Sequence, residues 1–376
     1  MKIAVLAQFF LGDETAPVNG SLVQLYNLSK ALSMKDVELH YICATKRQKN
    51  IEIEIIEGIH VHWIIMKEGI FEWKRLMPLY QNQLKNIQPD ALYVRGRNVL
   101  QYVAGTYARK HDKIFVWGTN GDDSAESWKN VKRLKQAPKS LLKKAVLYPL
   151  KAWEDHYINR GMRLPDYIVN QNTIQKEQTS KLLKREGLVL NSYYLASSET
   201  DEVVKNQVLW MARWSKEKQP ELYLEMVSKS EHSDIEFVMA GGYSDHDNAL
   251  VDRANNLGIK VPGKIDYGNV NHYFAKSLLF VNTSYREGVS NTFIEAMLQG
   301  VPVLSLNSNP NNWLTEYNIG FCADGDLKRL IAQMNRLLKN KEELKQMADD
   351  AKSFAKHQFS NDTIIDDYLK LFNGDA

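Results

Sequence analysis

Residues 286–303 read REGVSNTFIEAMLQGVPV. A short polar stretch, Ser290-Asn291-Thr292, gives way to a helical apolar pattern, and an apolar run from Val301 to Leu306 follows. Loop, amphipathic helix and buried strand in succession make one step of an alternating β/α chain. Two carboxylates, Glu287 and Glu295, bracket the start of that helix. One reading is structural: Thr292-Phe293-Ile294-Glu295 has the Thr-x-x-Glu form of a capping box, in which Thr292 takes the backbone N–H of Glu295 and Glu295 reaches back.

The same alternation extends in both directions. Strands are expected at Lys2–Ala7, Val37–Ala44, Ala91–Arg95, Lys113–Trp117 and Asp166–Asn170, and again at Val208–Met211, Glu236–Ala240, Leu278–Thr283 and Val301–Leu306. Amphipathic segments such as Ser21–Leu32, Pro220–Lys229, Asn248–Leu257 and Leu327–Leu338 lie between them. Near-continuous apolar strands separated by helices imply parallel sheets covered on both faces. The expected fold class is α/β, with two doubly wound Rossmann-like domains facing a central cleft. A polar cluster at 197–202, SSETDE, suggests the division: an N-terminal domain over 1–200, a second over 201–356, and a C-terminal helix over 357–376 packing back on the first.

Composition agrees with this. A chain of 376 residues is too long for one ordinary core, and 44% hydrophobic with 25% charged residues is globular. Two cysteines, Cys43 and Cys322, form neither a disulfide framework nor a metal-ligand spacing, which favours a reducing cytosol. The N-terminus MKIAVLAQFFLGDE reads as a first buried strand rather than a signal peptide. No run approaches the roughly 18 apolar residues of a spanning helix.

Ligands of doubly wound sheets bind beyond the carboxyl ends of the strands. A helix beginning near Asn291 offers free N–H groups and a partial positive charge, suited to a phosphate. Gly288 permits close approach of a ligand to the backbone. A carboxylate one turn into the helix can accept from a vicinal diol such as ribose, and a second in the loop from a sugar ring. Phosphate, ribose and sugar in a row describe a nucleotide-sugar. The loop after Val208–Met211, Ala212-Arg213-Trp214-Ser215-Lys216-Glu217-Lys218, supplies a planar fork and a point charge for a diphosphate.

With those residues in place, the second half resembles the retaining nucleotide-sugar glycosyltransferases of the GT-B fold, specifically glycosyltransferase family 4 of the bacterial polysaccharide type. The carrying features are ARWSKEK with Arg213 and Lys218, VMAGG at 238–242, VPGKI at 261–265 and the REGVSNTFIEAM…GVPV block. The resemblance is dense over about 205–320 and loose in the first half. It implies that Arg213 and Lys218 bind the donor diphosphate and stabilise it as leaving group. Backbone at Asn291 and Thr292 would hold the distal phosphate, with Ser290 a further donor-binding position. Glu295 would hold the ribose hydroxyls, and Glu287 with Gly288 the transferred sugar. Gly20 and Gly242 are further donor-loop positions, and backbone at Lys264 and Ile265 would meet the base. It also implies no cofactor and no metal; no Asp-x-Asp motif is present. The chain departs from the family in three places. The glycine-rich loop after the first strand is Pro17-Val18-Asn19-Gly20, Asn120 stands where a His is usual, and SSETDE replaces the usual Asn-Gly-Val-Asp.

The implied reaction is retaining transfer from a UDP- or GDP-linked sugar to a hydroxyl of a glycan or lipid-linked acceptor, with attack on the face the diphosphate leaves and the protein supplying position and charge. Catalytic candidates are Arg213, Lys218, Glu287 and Asn120; acceptor candidates are Arg95, Arg97 and Asp122 at the carboxyl edges of first-domain strands. Residues 129–151 carry Lys129, Lys132, Arg133, Lys135, Lys139, Lys143, Lys144 and Lys151 with no intervening acid, interleaved with Leu141, Leu142, Val146, Leu147, Tyr148 and Leu150. This reads as a surface for an anionic membrane leaflet, placing the protein in the cytoplasm, peripheral on the inner face of the cytoplasmic membrane. No nucleic-acid motif accompanies the run. The oligomeric state is not legible. Two other readings are a non-catalytic nucleotide-sugar or lipid-binding scaffold and an epimerase or phosphorylase on the same two-domain frame.

Overall fold

The computed structural model describes residues 1–16, 19–46, 52–66, 69, 71–121, 124–195, 203–232 and 234–375. They form two compact units, Met1–Tyr194 with Asp362–Ala376, and Leu195–Asn361.

The first unit is built on an eight-stranded sheet: β1 (Lys2–Leu6), β2 (Glu38–Thr45), β3 (Ile53–Ile56), β4 (Ile59–Ile65), β5 (Ala91–Arg95), β6 (Ile114–Gly118), β7 (Tyr167–Asn170) and β8 (Leu188–Val189). The spatial order is β3-β4-β2-β1-β5-β6-β7-β8. All pairs are parallel except the edge pair β3–β4. The intervening helices are α1 (Gly20–Ser33), α2 (Glu72–Ile87), α3 (Leu100–His111), α4 (Lys129–Gln136), α5 (Leu141–Gly161) and α6 (Thr173–Leu183). Ile3–Leu6 and Leu92–Val94 are fully buried, as central parallel strands covered on both faces must be. The chain leaves β1 toward β2 and later returns to the other side of β1 at β5, so the switch point of this sheet lies between β1 and β5.

The second unit holds a six-stranded, wholly parallel sheet: β9 (Gln207–Met211), β10 (Glu236–Ala240), β11 (Lys260–Gly263), β12 (Ser277–Asn282), β13 (Val303–Ser305) and β14 (Gly320–Cys322), in the order β11-β10-β9-β12-β13-β14. Its helices are α7 (Pro220–Ser228), α8 (Asn248–Asn256), α9 (Tyr267–Ala275), α10 (Asn291–Leu298), α11 (Trp313–Glu316), α12 (Leu327–Lys339) and α13 (Lys341–Phe359). A last helix, α14 (Asp362–Asn373), belongs to the first unit, where Tyr368 and Phe372 set their rings 5.8 and 6.1 Å from that of Tyr93 in β5.

The chain thus divides after Tyr194, and the polar cluster at 197–202 lies outside the described residues. The second unit also runs past 356. The rings of Phe354 and Phe359 pack 5.6 and 5.7 Å from Trp313, which keeps all of α13 with the second unit and starts the return at Asp362. The expected strands are all present. β4 takes in His60 and His62, which alternate as on a strand, and β3, β8, β11 and β14 go beyond the expected set.

Candidate functional site

In the second sheet the chain runs from β9 through β10 to β11 on one side, then crosses to β12 on the other. The carboxyl ends of β9 and β12 therefore mark the switch point of this sheet, the edge at which ligands of doubly wound folds bind.

The loops that follow β9 and β12 are tied together. The Thr283 hydroxyl accepts from the Trp210 indole N–H (2.9 Å) and lies 2.7 and 3.0 Å from the carbonyls of Lys218 and Gln219. The Tyr285 N–H donates to the Glu217 carbonyl (2.8 Å). Across the same junction the Lys218 ammonium forms an ion pair with the Glu287 carboxylate, both side chains being half-buried. Two of the four residues expected to do chemistry thus meet, although 69 positions separate them in sequence. Arg213, two residues beyond β9, is exposed, and no carboxylate among the described residues pairs with it. Gly288 is also exposed, and a Cβ built there would meet nothing within 4 Å.

The close approach of the β9 and β10 ends depends on Gly241 rather than Gly242. Gly241 has φ +134°, and a Cβ there would come 1.7 Å from the Ala212 carbonyl oxygen. Its N–H donates to the Gly263 carbonyl (2.8 Å), binding the end of β10 to that of β11. Only glycine allows this approach. Gly242, with its nearest neighbour at 4.0 Å, contributes its carbonyl to the Trp214 N–H (3.0 Å). Lys264 and Ile265 follow β11, the first exposed and the second half-buried.

The capping box expected at α10 does not form. Ser290 is the N-cap, in extended backbone conformation, and its hydroxyl pairs with that of Thr292 (2.9 Å). With Thr292 inside the helix and its hydroxyl engaged, the Glu295 carboxyl has no cap to complete. It has no hydrogen-bond partner among the described residues, although Glu295 is only 7% exposed. Burial alone raises its pKa from 4.5 to about 7. An unpartnered buried carboxyl is costly, and such groups concentrate where a ligand supplies the missing donors. Asn291 begins the helix and is half-buried.

The first-unit candidates fare differently. Arg95, the last residue of β5, is fully engaged below the surface. It donates to Gln24 (2.9 Å), the Tyr93 hydroxyl (3.0 Å) and the Ser192 hydroxyl (3.2 Å). Arg97 forms a buried ion pair with Asp155 of α5 (2.8 Å) and donates to the Glu126 carbonyl (3.0 Å). Neither guanidinium lies open at the sheet edge: Arg95 is taken up by α1 and the segment at Ser192, and Arg97, beyond Gly96 and outside the strand, by Asp155 of α5. Asn120 is exposed just beyond β6, where its side-chain oxygen accepts from the Ser124 hydroxyl (3.0 Å). Gly20 is exposed at the start of α1, after the N-cap Asn19. Asp122 lies outside the described residues. Among the described residues no group of three or more His, Cys, Asp or Glu is placed to hold a metal ion, and no helix is long and apolar enough to cross a membrane.

Sequence reading missed Thr283 and Gly241, whose importance depends on strand neighbours rather than on local pattern. It also missed Trp214, buried with its ring 5.1 Å from that of Tyr243.

Residues 198–354 match the model of the family described as glycosyl transferases group 1. The whole chain also has the fold of solved glycosyltransferase structures. It aligns over 100% of its length and 100% of the Anabaena protein HepE in complex with UDP-glucose, at 14% identity and TM-score 0.72. It aligns over 99% with 98% of the sucrose-phosphate synthase of Thermosynechococcus elongatus, at 13% identity and TM-score 0.71. It covers WaaG, a glycosyltransferase involved in lipopolysaccharide biosynthesis, completely from 99% of its own length, at 13% identity and TM-score 0.67. At these identities the likeness is one of fold: two Rossmann-like units with parallel sheets, the GT-B architecture. No curated protein matches the sequence.

Proposed function

We propose that this chain is a retaining glycosyltransferase. It moves a sugar from a nucleoside diphosphate to a hydroxyl of a glycan or lipid-linked acceptor, in bacterial surface-polysaccharide assembly at the inner face of the cytoplasmic membrane. The observation that carries the reading is the state of the β9–β12 edge. Among the described residues, Arg213 is exposed beyond β9 with no carboxylate paired to it, Lys218 and Glu287 bridge the loops, and Glu295 is buried beside a helix start with no hydrogen-bond partner. These are the groups a diphosphate, a sugar and a ribose diol need, in the part of the chain that matches the glycosyl transferase family.

In the proposed step the bond from the anomeric carbon to the distal phosphate oxygen breaks. The bond from the acceptor oxygen to the same face of that carbon forms. The acceptor's proton passes to the leaving phosphate oxygen. Arg213 and Lys218 neutralise the charge growing on the diphosphate, the kind of preorganised stabilisation that dominates many enzymes. Donor binding draws Lys218 away from Glu287 toward phosphate and frees Glu287 for the sugar hydroxyls. Ribose hydroxyls donate to Glu295, the base lies against the backbone at Lys264 and Ile265, and no metal is called on.

The test is the thermal midpoint with UDP, GDP and ADP in turn, for the parent and for Glu295→Ala. A nucleotide at about 100 times its dissociation constant adds roughly 2.7 kcal/mol. A shift with one nucleotide that disappears in the variant supports the reading and names the base, UDP being the first choice because HepE was solved with it. Absence of a shift with all three would sink it.

A further inference from the structure

The first turns of α5 present an apolar face that nothing among the described residues covers. At about 100° per residue, Leu141, Leu142, Ala145, Val146, Tyr148 and Pro149 fall within an arc of roughly 160°. Leu141, Leu142 and Val146 are 85%, 82% and 69% exposed. Farther along the same face lies Trp153. There the rings of Phe71 and Trp73 stand 6.2 and 5.6 Å away, and the Lys74 ammonium sits 3.9 Å above the indole. The stripe is therefore ordinary core from Trp153 onward and bare before it. Leu147 and Leu150, on the other flank, are half-buried.

An apolar face of this width marks a contact site, and its surroundings identify the occupant. Between Lys129 and Lys151 there is no Asp or Glu. Lys135, Lys139 and Lys143 are exposed around the bare face, with the Lys135 ammonium 5.9 Å from the Tyr148 ring. Lys132 pairs with Glu126 (2.8 Å) just outside this run. A second copy docking two-fold on this surface would set cations against cations. Nucleic acid would meet the lysines and leave the leucines wet. An anionic bilayer satisfies both halves, with apolar side chains in the acyl boundary and lysines stretched to the head groups.

We propose that the α4–α5 hairpin is a membrane-docking wedge. Leu141, Leu142 and Val146 enter the head-group boundary of an anionic leaflet, and Lys135, Lys139 and Lys143 engage its phosphates. The surface is independent of the β9–β12 edge, so the inference survives if the glycosyltransferase reading fails.

The experiment is co-sedimentation of the full chain with phosphatidylcholine vesicles, with and without phosphatidylglycerol. It is run on the parent, on Leu142→Glu/Val146→Glu and on Lys139→Glu/Lys143→Glu. Each cation near an anionic surface is worth about a fivefold change in partitioning. The parent is expected to bind the anionic vesicles at least about tenfold better than the neutral ones, and to release them as salt shortens the screening length. Both variants are expected to lose about tenfold or more with unchanged thermal midpoints, since the altered side chains are exposed. Equal binding to both vesicle types, or undiminished binding by either variant, overturns the proposal. So does self-association that Leu142→Glu/Val146→Glu abolishes, which would make a second copy the occupant. DNA binding in the absence of vesicle binding overturns it as well.

Discussion

The two sheets have switch points of the same kind, one between β1 and β5 and the other between β9 and β12, and both bring arginines to their carboxyl edges. The first uses them to build itself. Arg97 is locked to Asp155, whose carboxylate also accepts the backbone N–H groups of Asn130 (3.3 Å) and Val131 (3.0 Å) at the start of α4. Arg95 knits β5 to α1 and to the segment around Ser192. Among the described residues, the second switch point leaves its charges unfinished: Arg213 without a carboxylate, Glu295 without a donor, and Lys218 and Glu287 paired with each other. Residue type at a strand end does not separate structure from chemistry. What separates them is whether the fold has already neutralised the group.

The contrast breaks most sharply at Asp155. Its carboxyl is inaccessible, and removal strands a buried guanidinium as well as two helix N–H groups. Asp155→Ala is expected to cost the first unit about 3–5 kcal/mol in denaturant unfolding. Nucleotide affinity measured under folding conditions should be unchanged. A loss near zero, or a selective loss of nucleotide binding, would erase the distinction between the two edges.

Lys218→Ala tests the other side. The pair with Glu287 is half-exposed, so its stability contribution is at most about 1 kcal/mol. If Lys218 stabilises a departing diphosphate, turnover should fall about 10²–10³-fold, the scale of one preorganised donor. A single-turnover assay with the nucleotide-sugar identified by thermal shift reads this directly. Full turnover in the variant would leave the ion pair as a mere loop tie.

Much of this arrangement was legible in the sequence. Uninterrupted apolar runs such as IAVL and LYV announced the central strands, because burial on both faces removes the polar alternation. The edge strand β3 escaped because it is exposed, with Glu54 set among isoleucines, and offers no such run. The Thr-x-x-Glu pattern at α10 misled because Ser290, not Thr292, begins the helix. A shift of two positions turns a capping carboxyl into a buried one. Arg95 and Arg97 misled for a longer-range reason. The partners that neutralise Arg95 come from α1 and the segment near Ser192, and the partner of Arg97 from α5, which local pattern cannot supply. Gly241 and Gly242 are equivalent as letters, and only the carbonyl of Ala212 tells them apart.

Glu295 gives the finest test of the comparison, because burial sets its charge. Its carboxyl titrates at about 7 in the folded chain against 4.5 for the ordinary group. Between those values the folded state holds a proton that the unfolded state has lost. Stability therefore falls as pH rises through this window, and the deficit is complete above it. Glu295→Gln removes the ionisation while keeping the shape. It should match the parent near pH 4 and exceed it by roughly 3 kcal/mol at pH 8. A ribose diol donating to the carboxylate favours the ionised form, so nucleotide binding and proton release are coupled. Affinity for the bound nucleoside diphosphate should rise about tenfold from pH 6 to pH 8 in the parent. The nucleotide's own phosphate titration is common to both proteins, so the difference between their pH profiles isolates this side chain. Coincident profiles would mean that the carboxyl never meets the ligand. Glu295 would then belong, like Arg97, to the part of the molecule that serves only its own fold.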